Sequence, residues 1–181
     1  MLSQLLTLLG DALKPVYFVY DGAFGNNAAV QMTRSAGLHL ISKLRNNSAL
    51  HFEWNGIYAG RGCRPKYGER VDYKNLPQHY LKSDEIKGAV RTRIYQFTAV
   101  HKTFADKLNV VIICKYDEKK EKSGHVILFC TEGTLGWEAL VDYYRLRFQI
   151  EFNFRDAKQH WGLEDFMVTQ EQSALNAANL S

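Results

Sequence analysis

The sequence predicts an α/β protein in which a β-rich stretch interrupts a helix-and-strand layout. Three observations carry this. Val16–Tyr20 is an unbroken apolar run rich in β-formers, the pattern of a buried parallel strand. NVVIICKY (109–116) and GHVILFC (124–130) flank the charged turn DEKKEKS, which reads as an antiparallel hairpin. Residues from about 137 to 160 sort into polar and apolar faces at 100° per position, the signature of one long helix.

In chain order, Leu2, Leu5, Leu6 and Leu9 have helical spacing and predict a helix packed on a sheet, stopped by Pro15. The Val16–Tyr20 strand is expected to be central. It ends at Asp21-Gly22. An Asp at the carboxyl end of a buried strand sits where open α/β sheets place their chemistry, yet Asp-Gly is also a common turn pair, and both readings stand. A helix over about 27–36, containing Ala28, Val30 and Met32, is capped by Gly37. Leu38–Leu44 is the next strand, and Arg45-Asn46-Asn47 leaves it. His39 is assigned no role.

From about Ser48 the character changes. Leu50–Trp54 is a short strand. Gly56–Arg70 is rich in glycine and cations, too flexible and too charged for a core. Its Arg61, Arg64 and Lys66 are candidate phosphate ligands, with Arg61-Gly62 and Arg64-Pro65 resembling a minor-groove hook. A solvated flexible loop is the equal alternative. Tyr58 and Tyr67 interleave with the cations and favour DNA slightly. Residues 72–87 read as irregular. Residues 89–104 read as a strand, with Val90, Thr92, Ile94, Gln96 and Thr98 on one face. Thr131 or Thr134 is expected to cap the long helix. Thr169–Ser181 reads as the start of a further helix.

The long helix holds the most informative pattern. Tyr143, Leu146, Ile150, Phe154, Ala157 and Trp161 form one apolar stripe, and Val141, Phe148 and Phe152 a second. Glu138, Asp142, Arg145, Gln149, Asn153, Asp156 and His160 form the solvated face. Tyr144, Arg147, Glu151 and Lys158 fall between the apolar stripes instead. Surface salt bridging is the ordinary reading of helix charges, but the water-facing side is already assigned. A glutamate flanked by apolar stripes needs a partner, either Arg147 or a metal ion.

Bulk properties bound the possibilities. The 181 residues allow one domain, or one domain with an insertion, and 46% hydrophobic with 13% aromatic content indicates a packed chain. A net charge of +4 permits nucleic acid without demanding it. Cys63, Cys114 and Cys130 lack C-x-x-C spacing, which points to reduced cytosolic thiols with no zinc site or disulfide framework; Cys114 and Cys130 read as small buried residues. Met1–Leu13 lacks a basic start, and no apolar run is long enough to span a bilayer.

Tyr144, Arg147, Glu151 and Lys158 reproduce the spacing Y-x2-R-x3-E-x6-K, within YYRLRFQIEFNFRDAKQHWGLE. This resembles the DDE transposases of bacterial insertion sequences, in the subgroup with that signature. Tyr20-Asp21-Gly22-Ala23-Phe24-Gly25 is similar to the segment holding the family's second catalytic aspartate. The resemblance implies a partial RNase H-like fold. Residues 1–44 would form its first part, 45–125 a β-rich insertion, and 126–181 the second part with the Glu151 helix.

The resemblance further implies that Asp21 and Glu151 are catalytic and bind Mg²⁺ or Mn²⁺. Two such ions about 3.5 to 4 Å apart activate water and stabilise the leaving oxygen of a phosphodiester, and hard ions prefer oxygen ligands. Tyr144, Arg147 and Lys158 would contact phosphates, Arg147 through a bidentate grip. Core packing is the alternative for Tyr144, and pairing with Glu151 for Arg147. Trp54 or Trp161 could stack on an unpaired base, although Trp161 fits a core stripe better.

The expected partner is double-stranded DNA, as transposon ends and target, with a second copy of the chain as a dimer and no membrane. The expected location is the bacterial cytoplasm, at the nucleoid. The family's first aspartate belongs on a strand upstream of Met1, so the chain resembles the later part of a transposase. Two functions follow: metal-dependent DNA cleavage and strand transfer, or a catalytically inactive remnant that binds DNA or a partner without cutting.

Overall fold

The computed structural model describes residues 13–160 except 59 and 61, together with 4, 6 and 7; for 24, 150, 151, 154 and 157 it describes the backbone alone. The expected helix at the amino end falls mostly outside the described residues, as do Trp161 and the Thr169–Ser181 segment. The chain divides into two compact units, Met1–Tyr144 and Arg145–Ser181.

The first unit is built on a mixed sheet of eight strands: β1 (Tyr17–Val19), β2 (His39–Leu44), β3 (Leu50–Glu53), β4 (Tyr67–Arg70), β5 (Leu81–Lys87), β6 (Val90–His101), β7 (Leu108–Asp117) and β8 (Lys122–Cys130). Their order across the sheet is β1-β2-β8-β7-β6-β3-β4, with β5 also paired to β6. β1 and β2 run parallel, and every other pairing is antiparallel. The strands between 50 and 117 therefore belong to the same sheet as β1 and β2. Helix α1 (Asn27–Ser35) links β1 to β2, and helix α2 spans Trp137–His160. Residues Trp137–Tyr144 of α2 belong to the first unit and Arg145–His160 to the second.

Alternation along the central strands makes two buried faces. Leu108, Val110 and Ile112 of β7 join Tyr95, Phe97 and Ala99 of β6 and Ala29 and Val30 of α1 on one side. Val111 of β7 joins Ile41 of β2, Leu128 of β8 and Leu140, Val141 and Tyr144 of α2 on the other. On β6 the more buried face is Tyr95, Phe97 and Ala99, while Ile94, on the opposite face, packs against the cluster that includes the start of α2.

Several expectations are corrected. β1 is short and half-buried and lies at the sheet edge among the described residues, with Val16 and Tyr20 exposed beside it. An apolar run reports a tendency to be buried, not a rank within a sheet; β7 and β8 take the interior positions. In α1 the buried residues are Ala29, Val30 and Thr33, whereas Ala28 and Met32 are exposed. The 72–87 stretch is not irregular throughout, because Leu81–Lys87 forms β5. Gly88 at φ 62° closes its turn onto β6, and Asp84 receives two guanidinium hydrogen bonds from Arg91 at 2.8 and 2.6 Å. Neither Thr131 nor Thr134 caps α2. The Gln96 side chain accepts the Trp137 N–H at 3.1 Å.

Candidate active site

Asp21 follows β1 directly. The Tyr20 N–H donates to the Ile41 carbonyl at 3.0 Å, and the Ser42 hydroxyl donates to the Asp21 carbonyl at 2.8 Å. Both bonds tie the end of β1 to β2. The Asp21 side chain then caps a single 3₁₀ turn, Gly22–Phe24, by accepting the Gly22 N–H at 2.6 Å. The turn-residue and strand-end readings thus coincide in one exposed residue. Gly25 closes the turn with its Cα so near β2 that a Cβ there would stand 2.4 Å from the Lys43 carbonyl oxygen. Asn26 then caps α1 by accepting the Ala29 N–H at 3.0 Å.

A cavity of about 580 Å³ opens beside this turn, lined by Gly22, Asn26, Arg45, Ser48 and His101 among others. His101 Nδ1 accepts the Thr103 N–H at 3.2 Å, with the Thr103 hydroxyl 2.8 Å away. Burial, and secondarily the charge of His51, holds the His101 pKa below its usual value. Neither His101 nor Arg45 draws notice as a site residue in the linear sequence. The available signal is that Arg45 leaves the strand parallel to the one ending in Asp21.

A divalent ion needs several oxygen ligands. Asp21 supplies one exposed carboxylate of suitable chemistry. Among the described residues, no three His, Cys, Asp or Glu side chains stand together as a metal cage. The side chain of Glu151 lies outside the described residues, although its backbone belongs to α2.

The other expected site residues divide between the units. In the first, Tyr144 is buried, at 8% exposure, among Ile41, Val111, Leu128 and Leu140. Arg64 is exposed and lies over the Trp54 ring, 5.5 Å from its centroid, so the cation already covers a face proposed for a base. Lys66 donates to the Ala105 carbonyl at 2.8 Å. Arg61 lies outside the described residues. Gly60 and Gly62, at φ 77° and 79°, shape this loop, and the Tyr58 hydroxyl donates to the Gly62 carbonyl.

In the second unit, the Arg147 guanidinium lies 4.5 Å from the Phe148 ring centroid, and Arg155 lies 4.9 Å from that of Phe152. Lys158 is exposed in the last turn of α2. The expected solvated face of α2 is exposed at all of its positions. Leu146, Phe148 and Phe152 are also exposed, at 53%, 45% and 53%, and this corrects the expectation that both apolar stripes are buried. Periodicity defines the faces of a helix without saying what covers them.

No described helix is long and apolar enough to cross a membrane. No curated protein matches the sequence. The family of DDE superfamily endonucleases matches residues 1–103, more than half of the chain, a span that includes Asp21, the Arg45 turn and the basic loop. With its mixed sheet and its strand-end aspartate, the chain belongs to the DDE superfamily endonucleases.

Proposed function

We propose that this chain carries out transposase-type chemistry on DNA, namely metal-dependent cleavage and strand transfer, with Asp21 and Glu151 as the carboxylates of the reaction centre. The observation that carries the reading is the placement of Asp21, an exposed carboxylate at the carboxyl end of β1 beside a cavity lined by Arg45 and His101. In this reading Asp21 and Glu151 hold Mg²⁺ or Mn²⁺, and the bound ion supplies Lewis-acid activation of water and of the leaving oxygen. Hydrolysis forms a P–O bond from water to phosphorus and breaks the bond to the 3′ oxygen, leaving a 3′ hydroxyl. Strand transfer reuses that hydroxyl as the nucleophile.

The subgroup with the Tyr144-Arg147-Glu151-Lys158 spacing belongs to the same proposal, as do an RNase H-like core interrupted over 45–125 and a dimer holding two DNA ends. Arg147 and Lys158 would grip phosphates near the cut, and Tyr144, buried among Ile41, Val111, Leu128 and Leu140, would take the core-packing role instead. Arg61, Arg64 and Lys66 would hold flanking duplex.

The test is nicking of supercoiled plasmid with Mg²⁺ or Mn²⁺. Asp21→Asn and Glu151→Gln should each reduce nicking by at least a hundredfold while DNA binding persists. Nicking at the original rate in both variants overturns the site assignment. DNA binding without nicking in the unsubstituted chain identifies a remnant that holds DNA and does not cut it.

A further inference from the structure

We infer that a groove leads away from the Asp21 turn and accepts a single strand of DNA running on from the reaction point; the inference rests on the DNA-processing reading above.

Two cavities meet at one turn of chain. The 580 Å³ cavity beside the Asp21 turn and a second of about 770 Å³ share Asn47 in their linings. The Arg45–Ser48 turn is the ridge between them. It is held from several directions. The Ser48 N–H donates to the Arg45 carbonyl at 3.0 Å, His125 Nε2 lies 2.8 Å from the Asn46 carbonyl, and the Tyr73 hydroxyl donates to the Ser48 carbonyl. A ridge tied this way to β8 and to the 71–80 segment is preorganised for a ligand crossing it.

The lining suits a nucleotide strand. Arg45 stands on the ridge, and Arg70 and Lys74 line the second cavity. One carboxylate, Asp72, opposes them there, and its side chain already accepts the Lys74 backbone N–H at 3.0 Å. Tyr73 and His125 stack with ring centroids 4.7 Å apart and an interplanar angle of 15°, making an aromatic platform in the same wall. Asn46 and Asn47 add amides able to meet base edges. Cations for phosphates together with an aromatic platform for bases are the combination that binds single strands. A duplex keeps its bases stacked inside and offers the platform nothing. The permanent cations are spread along the path, which matches a polyanion better than a single free phosphate.

The test is fluorescence anisotropy of the whole chain, without divalent metal, against a single-stranded oligonucleotide and a blunt duplex. Arg70→Ala with Lys74→Ala should weaken single-strand binding about tenfold or more. It should also flatten the dependence of log affinity on log salt by about 1.4, two contacts at ~0.7 each. His125→Ala, which removes half of the platform, should weaken single-strand binding several-fold with an unchanged salt slope. Lys119→Ala with Lys120→Ala, on the β7–β8 turn, should change neither quantity. An unchanged slope in the Arg70/Lys74 variant overturns the groove, and an equal loss on duplex overturns its preference for a single strand. A urea midpoint for each variant separates binding loss from unfolding. The two failures are distinguishable: a wrong groove leaves Asp21-dependent nicking intact, whereas a wrong reaction centre leaves the metal-free binding differences intact.

Discussion

Gly25 shows how one residue can hold the Asp21 turn in place. Its φ of −74° is open to any residue, so conformation does not demand glycine. Proximity does, because a Cβ would meet the Lys43 carbonyl oxygen at 2.4 Å. That contact is with backbone in β2 and cannot be relieved by a rotamer. Gly25→Ala should destabilise the fold by about 1–3 kcal/mol, the usual cost of overpacking. It should also displace the Asp21 turn, so nicking should fall further than the fraction folded measured by urea titration.

His101 gives a residue-scale pH dependence. Its folded pKa lies below the ordinary 6.5, because burial and His51 both disfavour the charged ring. The unfolded chain then binds the proton first. Stability is full above about 6.5 and is lost as pH falls from there through the lowered folded value. His101→Gln should flatten this part of a profile of urea midpoint against pH. Tyr17 behaves oppositely at high pH. Its hydrogen bond to Glu132, followed by burial, raises its pKa from 10.0 to about 12. Its stabilising share is present below 10 and is lost as pH rises through about 12. Glu132→Gln should bring the last phenolate transition in ultraviolet absorbance to lower pH.

Among the elements, α2 depends on a partner distant in sequence. Gln96, on β6, accepts the Trp137 N–H through its oxygen, while its amide donates to the Leu135 carbonyl at 2.8 Å and to Asn109 at 3.0 Å. Asn109 donates to the Leu135 carbonyl at 2.8 Å. The start of the helix is thereby fastened to β6 and β7. Gln96→Ala removes the cap and leaves half-buried partners unmatched, so we expect a loss of about 1–2 kcal/mol by urea denaturation. Local cap rules look to Thr131 and Thr134, and no such rule reaches back to residue 96. The β5–β6 hairpin escaped notice for a related reason. Leu81–Lys87 has almost no apolar alternation, and the readable clue was Gly88 at the turn.

At the scale of the molecule, the sheet orders the candidate surfaces. The 12-residue β6 pairs with β7 over Val90–Ala99 on one side, and on the other is shared between β5 and β3. The basic loop between β3 and β4 hangs from that side, and the Asp21 turn belongs to the β1–β2 side. Under the proposed function, Arg61→Ala, Arg64→Ala and Lys66→Ala together should weaken duplex binding and lower the salt slope by about 2–3, since each phosphate contact contributes ~0.9 on B-DNA. Lys66 already has a carbonyl partner, so its share should be the smallest. An unchanged slope would assign the loop to solvent.

Much of this architecture could be read along the chain because it depends on near neighbours. The β7–β8 hairpin declared itself through two apolar runs around one charged turn, α1 through the Gly37 that follows it, and the solvated face of α2 through its period. Asp21 was visible as a carboxylate ending a strand. Strand rank was not visible, because pairing β8 with β2 joins residues about 90 positions apart, and apolar content is the same for a central strand and an edge one. The cavities on either side of the Arg45–Ser48 turn had no linear signal either. Their cations, rings and amides come from five separate stretches, and only folding of the sheet brings them together on the two sides of that turn.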